Sequence, residues 1–508
     1  MTVRNHYPRI TAETAADHIP HGASVAFSGF TPAGAAKAVP RAIAAKARDL
    51  HAKGEPFKIQ VMTGASTGPT IDGELADAEA IAWRAPYQSD LVLRQAINRQ
   101  HVEFADMHLS HVPQTVSFGF FGKVDYAVVE ATEISPDGRV YLTTSIGASP
   151  TYLQEAEHVI IEINQHQSMR LREMADIFIL PPPPRRQAIP IFQPMSRIGW
   201  PYAVVDPKKV IGVVETDEPD HVGGFTVCDD FCHRISEHVM RFLLDEMGAD
   251  RIPEGFLPLQ AGVGNVANAV LGKLGEHPAI RPFMMFTEVF QDSIVDLMER
   301  GRVTGASATS LSVSPEYLQR IFENMDFFGP RVILRPQELS NHPGLIRRLG
   351  VIAINTALEF DIYGNVNSTH ICGTQIVNGI GGSGDFNRNS YLSIDVCPSI
   401  GKGGKISRVV PMCSHIDHTE HCVQVVVTEH GLADIRGLGP LQRAKKIIDC
   451  CAHPAYRDYL YRYVREAPPG HIPHDLIKCY ELHRNLREYG VMLPDLDLSQ
   501  FGEQRAHQ

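Results

Sequence analysis

At 508 residues the chain exceeds what one hydrophobic core supports, and its 44% hydrophobic and 21% charged content is that of an ordinary globular protein. A formal net charge of −11 without any Lys/Arg run argues against a nucleic-acid partner. No stretch approaches the roughly 20 apolar residues that span a bilayer, residues 1–10 lack a signal-peptide core, and nine cysteines form no CxxC pair, so a cytoplasmic protein with reduced thiols and no membrane association is expected.

In chain order, residues 23–27 read as a short apolar strand. A glycine-bearing loop, Ser28-Gly29-Phe30-Thr31-Pro32-Ala33-Gly34, and an alanine-rich helix over 35–47 follow. Residues 58–62 form the next strand and run into Thr63-Gly64-Ala65-Ser66-Thr67-Gly68, with further strand-like runs at 127–130 and 159–163. This alternation predicts a mostly parallel sheet with helices on its faces. Pro181-Pro182-Pro183-Pro184 fixes an extended connector. After a strand at 210–215, the polar stretch 216–224 marks a domain boundary, giving domains 1–224 and 225–508. A helix at 231–247 opens the second half, and 257–260 leads into Gly262-Val263-Gly264-Asn265 and a helix over 266–274. The plan of residues 23–68 thus recurs, and the fold is read as two related open α/β domains with mostly parallel sheets and the active site between them.

The apolar strand 283–286 ends at Glu288, and a helix pattern with Phe290, Ile294, Leu297 and Met298 on one face starts at once. In open α/β sheets that edge is where ligands bind; an acidic residue complementing the helix dipole would read the same way. The Gly262 loop fits a loose G-x-G-x-x-A, with Glu288 about 20 residues on, as a nicotinamide or flavin oxidoreductase would have it. Glycine chosen for tight strand-to-helix packing fits equally. Gly379-Ile380-Gly381-Gly382-Ser383-Gly384 carries four glycines in six residues, which lets a ligand approach bare backbone and leaves N–H groups for an anion. In His415-Ile416-Asp417-His418-Thr419-Glu420-His421 the residue types suit zinc, but strand geometry splits His415 and Asp417 from His418; a hydrogen-bonded turn is expected and no metal. Ser28 and Ser383 lie outside any G-x-S-x-G and are read as hydrogen-bond donors of their loops.

Together these segments resemble one family, the acetyl-CoA hydrolase/transferase group of class I CoA-transferases. The resemblance runs through Ser28 to Gly34 with Lys37-Ala38-Val39-Pro40, Gly262 to Asn265, Thr287-Glu288-Val289-Phe290-Gln291-Asp292, Asn367-Ser368-Thr369-His370, Gly379 to Phe386, Ser414 to His421, and Thr428-Glu429 with Gly431-Leu432-Ala433-Asp434. It implies that Glu288 is a covalent nucleophile, with Val263 and Gly382 supplying oxyanion N–H donors. It further implies Asn341 and Glu429 near the acyl or carboxylate site, Lys402 near CoA, and Gly262, Gly264, Asn265, Gly381, Ser383 and Gly384 around the substrate. CoA enters as substrate, no other cofactor is implied, and a homodimer is. Succinyl-CoA with acetate is the first expected pair; water in place of the acid would give a hydrolase. His430, Phe290 and Ala35-Ala36 depart from the family pattern and leave the acid preference open. A non-catalytic CoA-binding protein is the remaining alternative.

Overall fold

Strands that lack a polar face need cover on both sides, and those at the start of this chain have it. The computed structural model describes residues 6–223, 229–262 and 264–501. Packing divides the chain into two units, the first made of Met1–Gly224, Phe283–Leu349 and Asn378–Asp385, the second of Phe225–Pro282, Gly350–Val377 and Phe386–Gln508. Compactness therefore does not follow one cut after residue 224, and the stretch carrying Glu288 packs with the N-terminal half. Long-range polar contacts show why. The buried Gln337 amide donates to the carbonyls of Gly64 (3.1 Å) and Leu109 (2.8 Å), and the Leu109 N–H donates to the Gly381 carbonyl at 3.3 Å.

In the first unit, Ser24–Phe27 is buried throughout and lies parallel between Ile59–Met62 and Tyr126–Ile134. Ile81–Ala85 and Glu103–Phe104 extend one side, His158–Asn164 and Val210–Thr216 the other, all parallel. Arg139–Leu142 and Ala203–Val204 add an antiparallel margin. Continuous apolar strands are what a doubly covered parallel sheet requires. The helix Ala38–Ala52 covers one face with Val39, Pro40, Ile43, Ala44 and Ala47. It begins three residues later than the alanine run suggests. The Glu162 carboxylate takes the N–H groups of Lys37 (2.6 Å), Ala38 (3.0 Å) and Val39 (3.1 Å), and Pro40 has none to give. The buried Lys37 ammonium turns back to Glu130 and, at 3.0 Å, Asp220.

Also in this unit, Phe283–Phe286, Val303–Ala308 and Val332–Leu334 form parallel pairs in that order. The helix expected to start at once after Glu288 does not. Val289–Phe290 is a short buried strand paired with Ser310–Leu311, and the helix Asp292–Glu299 opens only after Gln291. A β-branched and an aromatic residue suit a pleated, buried position better than a first helical turn.

The second unit has parallel strands in the order Leu259–Ala261, Ile352–Thr356, Leu392–Val396 and Val425–Thr428, followed by antiparallel Gly431–Asp434. The helices Asp230–Gly248 and Pro440–Cys451 pack against Val425–Thr428. Near the end of the chain lie two helices, Pro440–Cys451 and Pro454–Glu466. Ala452 turns extended ahead of Pro454, which takes the first helical position. Both units are α/β with mostly parallel strands, as the alternation of elements predicts.

Candidate active site

Glu288 stands just past the strand Phe283–Phe286, and its backbone is fixed on both sides. The Thr287 N–H donates to the Ser307 carbonyl, and the Glu288 carbonyl accepts from the Thr309 N–H, each at 2.9 Å. With its main chain tied to the neighbouring strand, the side chain projects from a rigid base. The carboxylate receives one hydrogen bond among the described residues, from the Asn341 amide to Oε2 at 2.6 Å. Part of the residue remains at the surface, yet enough protein surrounds the carboxyl that burial pushes its pKa up to about 7, against the pull of Asn341. A carboxylate this poorly solvated is more basic and more nucleophilic than one in water.

Asn341 is held as firmly. It ends the short helix Gln337–Ser340, is fully buried, and its Oδ1 accepts from the Ser340 hydroxyl at 2.7 Å, which turns the NH₂ toward Glu288.

The glycine cluster closes on the same carboxylate. A Cβ on Gly382 would lie 1.6 Å from Glu288 Oε2 and 2.5 Å from Asn341 Nδ2, so only glycine fits. Gly381 adopts φ +58° against the Tyr87 ring, and a Cβ on Gly384 would strike His108. The Ser383 hydroxyl donates to the Ile380 carbonyl at 2.6 Å, the loop role expected for it. Glu288, Asn341, Gly381, Gly382, Ser383 and Gly384 thus belong to one compact unit, and Glu288, Asn341 and Gly382 converge on one another directly.

The other expected residues lie in the second unit or outside the described residues. Val263 is among the latter. The Gly262 N–H donates to the Ile354 carbonyl at 2.9 Å, and Gly264, at φ +139°, precedes the helix Asn265–Glu276. Glu429 accepts from the Ser399 N–H (2.7 Å) and hydroxyl (2.5 Å). It lines a cavity of about 290 Å³ with Arg234, His430 and His453. Lys402 is exposed at φ +48° on the turn between Ile400–Gly401 and Ile406–Ser407.

Among the described residues no three His, Cys, Asp or Glu are placed to hold a metal ion. In the histidine-rich stretch, Asp417 is instead engaged by the Ser368 N–H (2.6 Å) and the Thr369 hydroxyl (2.9 Å), as a hydrogen-bonded turn would have it. Sequence reasoning missed Tyr87, Ser110 and Asp385. Tyr87 faces Glu288, and burial together with the Glu288 charge pushes its phenol up to about 12. Asp385 lay inside the glycine cluster and could be singled out only by what it touches.

Known proteins share this plan. The acetyl-CoA hydrolase/transferase N-terminal domain matches residues 1–215 and the corresponding C-terminal domain matches 318–464. A propanoyl-CoA:succinate CoA transferase of Escherichia coli (strain K12) is 55% identical over 97% of this chain and 100% of its own length. A succinyl-CoA:acetate CoA-transferase of Clostridium kluyveri is 46% identical over 95% of this chain and 90% of its own. In fold, the chain is similar to the crystal structure of RipA from Yersinia pestis, with a TM-score of 0.70 at 23% identity over 92% of this chain and 99% of that one. The chain belongs to the acetyl-CoA hydrolase/transferase family.

Proposed function

We propose that this enzyme moves CoA between a short acyl-CoA and a carboxylic acid, with Glu288 as the covalent nucleophile. The observation that carries the reading is the Glu288 carboxylate itself, partly open, held by one amide and pressed against a glycine that nothing larger could replace. Its oxygen attacks the acyl-CoA carbonyl, the C–S bond breaks, and an acyl-glutamyl anhydride and CoA thiolate result. The thiolate then attacks the glutamyl carbonyl, expels the acyl carboxylate and leaves a glutamyl-CoA thioester. An acceptor acid reverses the sequence. Thioester and anhydride are close in energy, so one hard exchange becomes several easier ones.

Each addition places negative charge on an oxygen, and one well-aimed backbone N–H is worth about 3–4 kcal/mol there. Gly382 and Val263 are the donors in this reading, supported by the contact of Gly382 with the carboxylate and by the motif around Val263. Asn341 and Glu429 serve the acyl or carboxylate groups, and Lys402 with the Gly262-Gly264-Asn265 turn serves CoA. The names of the two relatives support short mono- and dicarboxylic acids as acceptors. Hydrolysis is the second outcome on the same scaffold, and exclusion of water from the anhydride and thioester decides between them. A cytoplasmic homodimer completes the reading, supported by the cysteine pattern and the family resemblance.

The test is intact mass after brief exposure to a short acyl-CoA without acceptor. A CoA-sized adduct on the native chain, absent from Glu288→Ala and discharged by acetate or succinate, is expected. Absence of both adduct and released thiol would overturn the proposal.

A further inference from the structure

Stretches far apart in the sequence meet at the glycine loop beside Glu288, and one buried side chain joins them. Gln337 is fully buried. Its carbonyl accepts from the Asn341 N–H and its own N–H donates to the Gly147 carbonyl, each at 3.0 Å. Its main chain is thereby fixed where the short helix presents Asn341 to Glu288. Its amide donates to the Gly64 (3.1 Å) and Leu109 (2.8 Å) carbonyls, and the flipped amide would set Oε1 against both of them. As placed, Oε1 is buried without a hydrogen-bond partner among the described residues. An acceptor left unpaired costs stability, so the two donors, and not packing, account for a glutamine here.

Leu109 passes the tie on, because its N–H donates to the Gly381 carbonyl at 3.3 Å. The same segment grips the loop on either side. Asp106, at the surface, accepts from the Ile380 N–H at 2.9 Å with both carboxylate oxygens. Ser110 gives its N–H (3.0 Å) and hydroxyl (2.6 Å) to Asp385. Residues 106–110 therefore bond the loop at 380, 381 and 385, and Gly382 lies between those points with the Glu288 carboxylate where a Cβ would be.

We propose that Gln337 and Asp106 are positioning residues that hold the Gly381-Gly382 backbone against Glu288 through the segment 106–110. The proposal rests on the reading in which Glu288 is the nucleophile and the Gly382 N–H meets the oxyanion. A loop of four glycines has much conformational freedom to lose, and these bonds are what fix it. Asn341 and Gly382 reach Glu288 from the two ends of one hydrogen-bonded path. Asn341 hangs on the Gln337 carbonyl, and Gly382 follows from the Gln337 amide through Leu109 and Gly381. Carboxylate and donor thus keep their distance as charge develops on the oxyanion. A displacement of about 1 Å there costs about 10²-fold in rate, and because the lost interaction belongs to the transition state, kcat falls and KM does not.

The experiment is steady-state CoA transfer from a short acyl-CoA to acetate or succinate, with kcat and KM taken per folded protein. Gln337→Met keeps the volume and removes both donors. Its kcat should fall by about 10- to 100-fold, with KM for the acyl-CoA within about twofold of native. Asp106→Ala should lower kcat by about three- to tenfold, and Asp106→Asn, whose carbonyl oxygen still accepts from the Ile380 N–H, should restore most of it. Native kcat in folded Gln337→Met, or a loss carried by KM, would overturn the proposal. If Gln337→Met does not fold, the two Asp106 variants decide, since Asp106 is exposed, and equal kcat in both would overturn it. A native protein that forms no CoA adduct would instead overturn Glu288 as nucleophile.

Discussion

Two glutamates of this protein follow opposite rules. Glu359 sits on the strand Glu359–Asp361 and is surrounded by donors: Asn367 Nδ2 (2.8 Å), the Ser414 N–H (2.8 Å) and hydroxyl (2.9 Å), and His483 Nε2 (2.8 Å). Burial alone would raise its pKa, but His483, Asn367 and Ser414 outweigh it and hold the carboxyl below its usual range. Glu288 is as closely surrounded and, among the described residues, receives a single amide, and its pKa goes up to about 7. The same side chain is held as an anion where four donors meet it and keeps its proton toward neutral pH where one described donor does. Donor count, more than depth, separates the two.

Substitution should break this symmetry most visibly in catalysis. Glu288→Gln is expected to lower turnover by about 10⁴-fold or more, as loss of a covalent nucleophile does. Glu359→Gln should leave the specific activity of its folded fraction within about threefold. Initial rates of acyl-CoA consumption with acetate or succinate present measure both. Next in size, Gly382→Ala forces a Cβ into the Glu288 carboxylate and should cost about 10²-fold in kcat/KM, the usual price of a displacement near 1 Å at a reacting centre. Removing the Asn341 amide with Asn341→Ala disfavours the charged form of Glu288. The acid limb of kcat/KM should then move to higher pH by about one unit.

The smallest effects are on stability, and they differ in sign. The folded pKa of Glu288 is raised, so its ionisation works against the fold above pH 7 and not below the unfolded value near 4.3. Glu288→Gln should therefore be more stable than native protein at about pH 8, by about 2 kcal/mol, and equal to it in acid. The folded pKa of Glu359 is lowered, so its contribution is present above the unfolded value and is lost as pH falls through the folded one. Glu359→Gln should be less stable at about pH 8, with the difference closing in acid. Denaturant unfolding of the three proteins at both pH values reads these signs, and a common sign would break the comparison.

Much of this was legible in the letters, unevenly. The strand Phe283–Phe286 is a pure apolar run bounded by Pro282 and Thr287, and it was found with its observed limits. Glu288 was legible because it lies two residues past the end of that strand. Gly382 was legible as one glycine among several, but that it alone must face the carboxylate depends on where a Cβ would go. The compact units were not legible: Gln337 ties to Gly64 and Leu109 across more than two hundred residues, and no local pattern records that. Asp385 and Ser110 were missed for the same reason, since an acidic residue in a helix start and a serine before another read as caps until their contact is seen. The Phe290 helix start failed because periodicity of 3.6 was carried by residues that begin two positions later.

The most direct test of the central claim is infrared difference spectroscopy between native protein and Glu288→Gln across about pH 5 to 9, following the carboxyl stretch that disappears in the variant. The account predicts a protonated carboxyl at the acid end that ionises with a midpoint near 7. A Glu288 signal already fully ionised at about pH 5 would contradict it, and would place Glu288 with Glu359 among the structural anions.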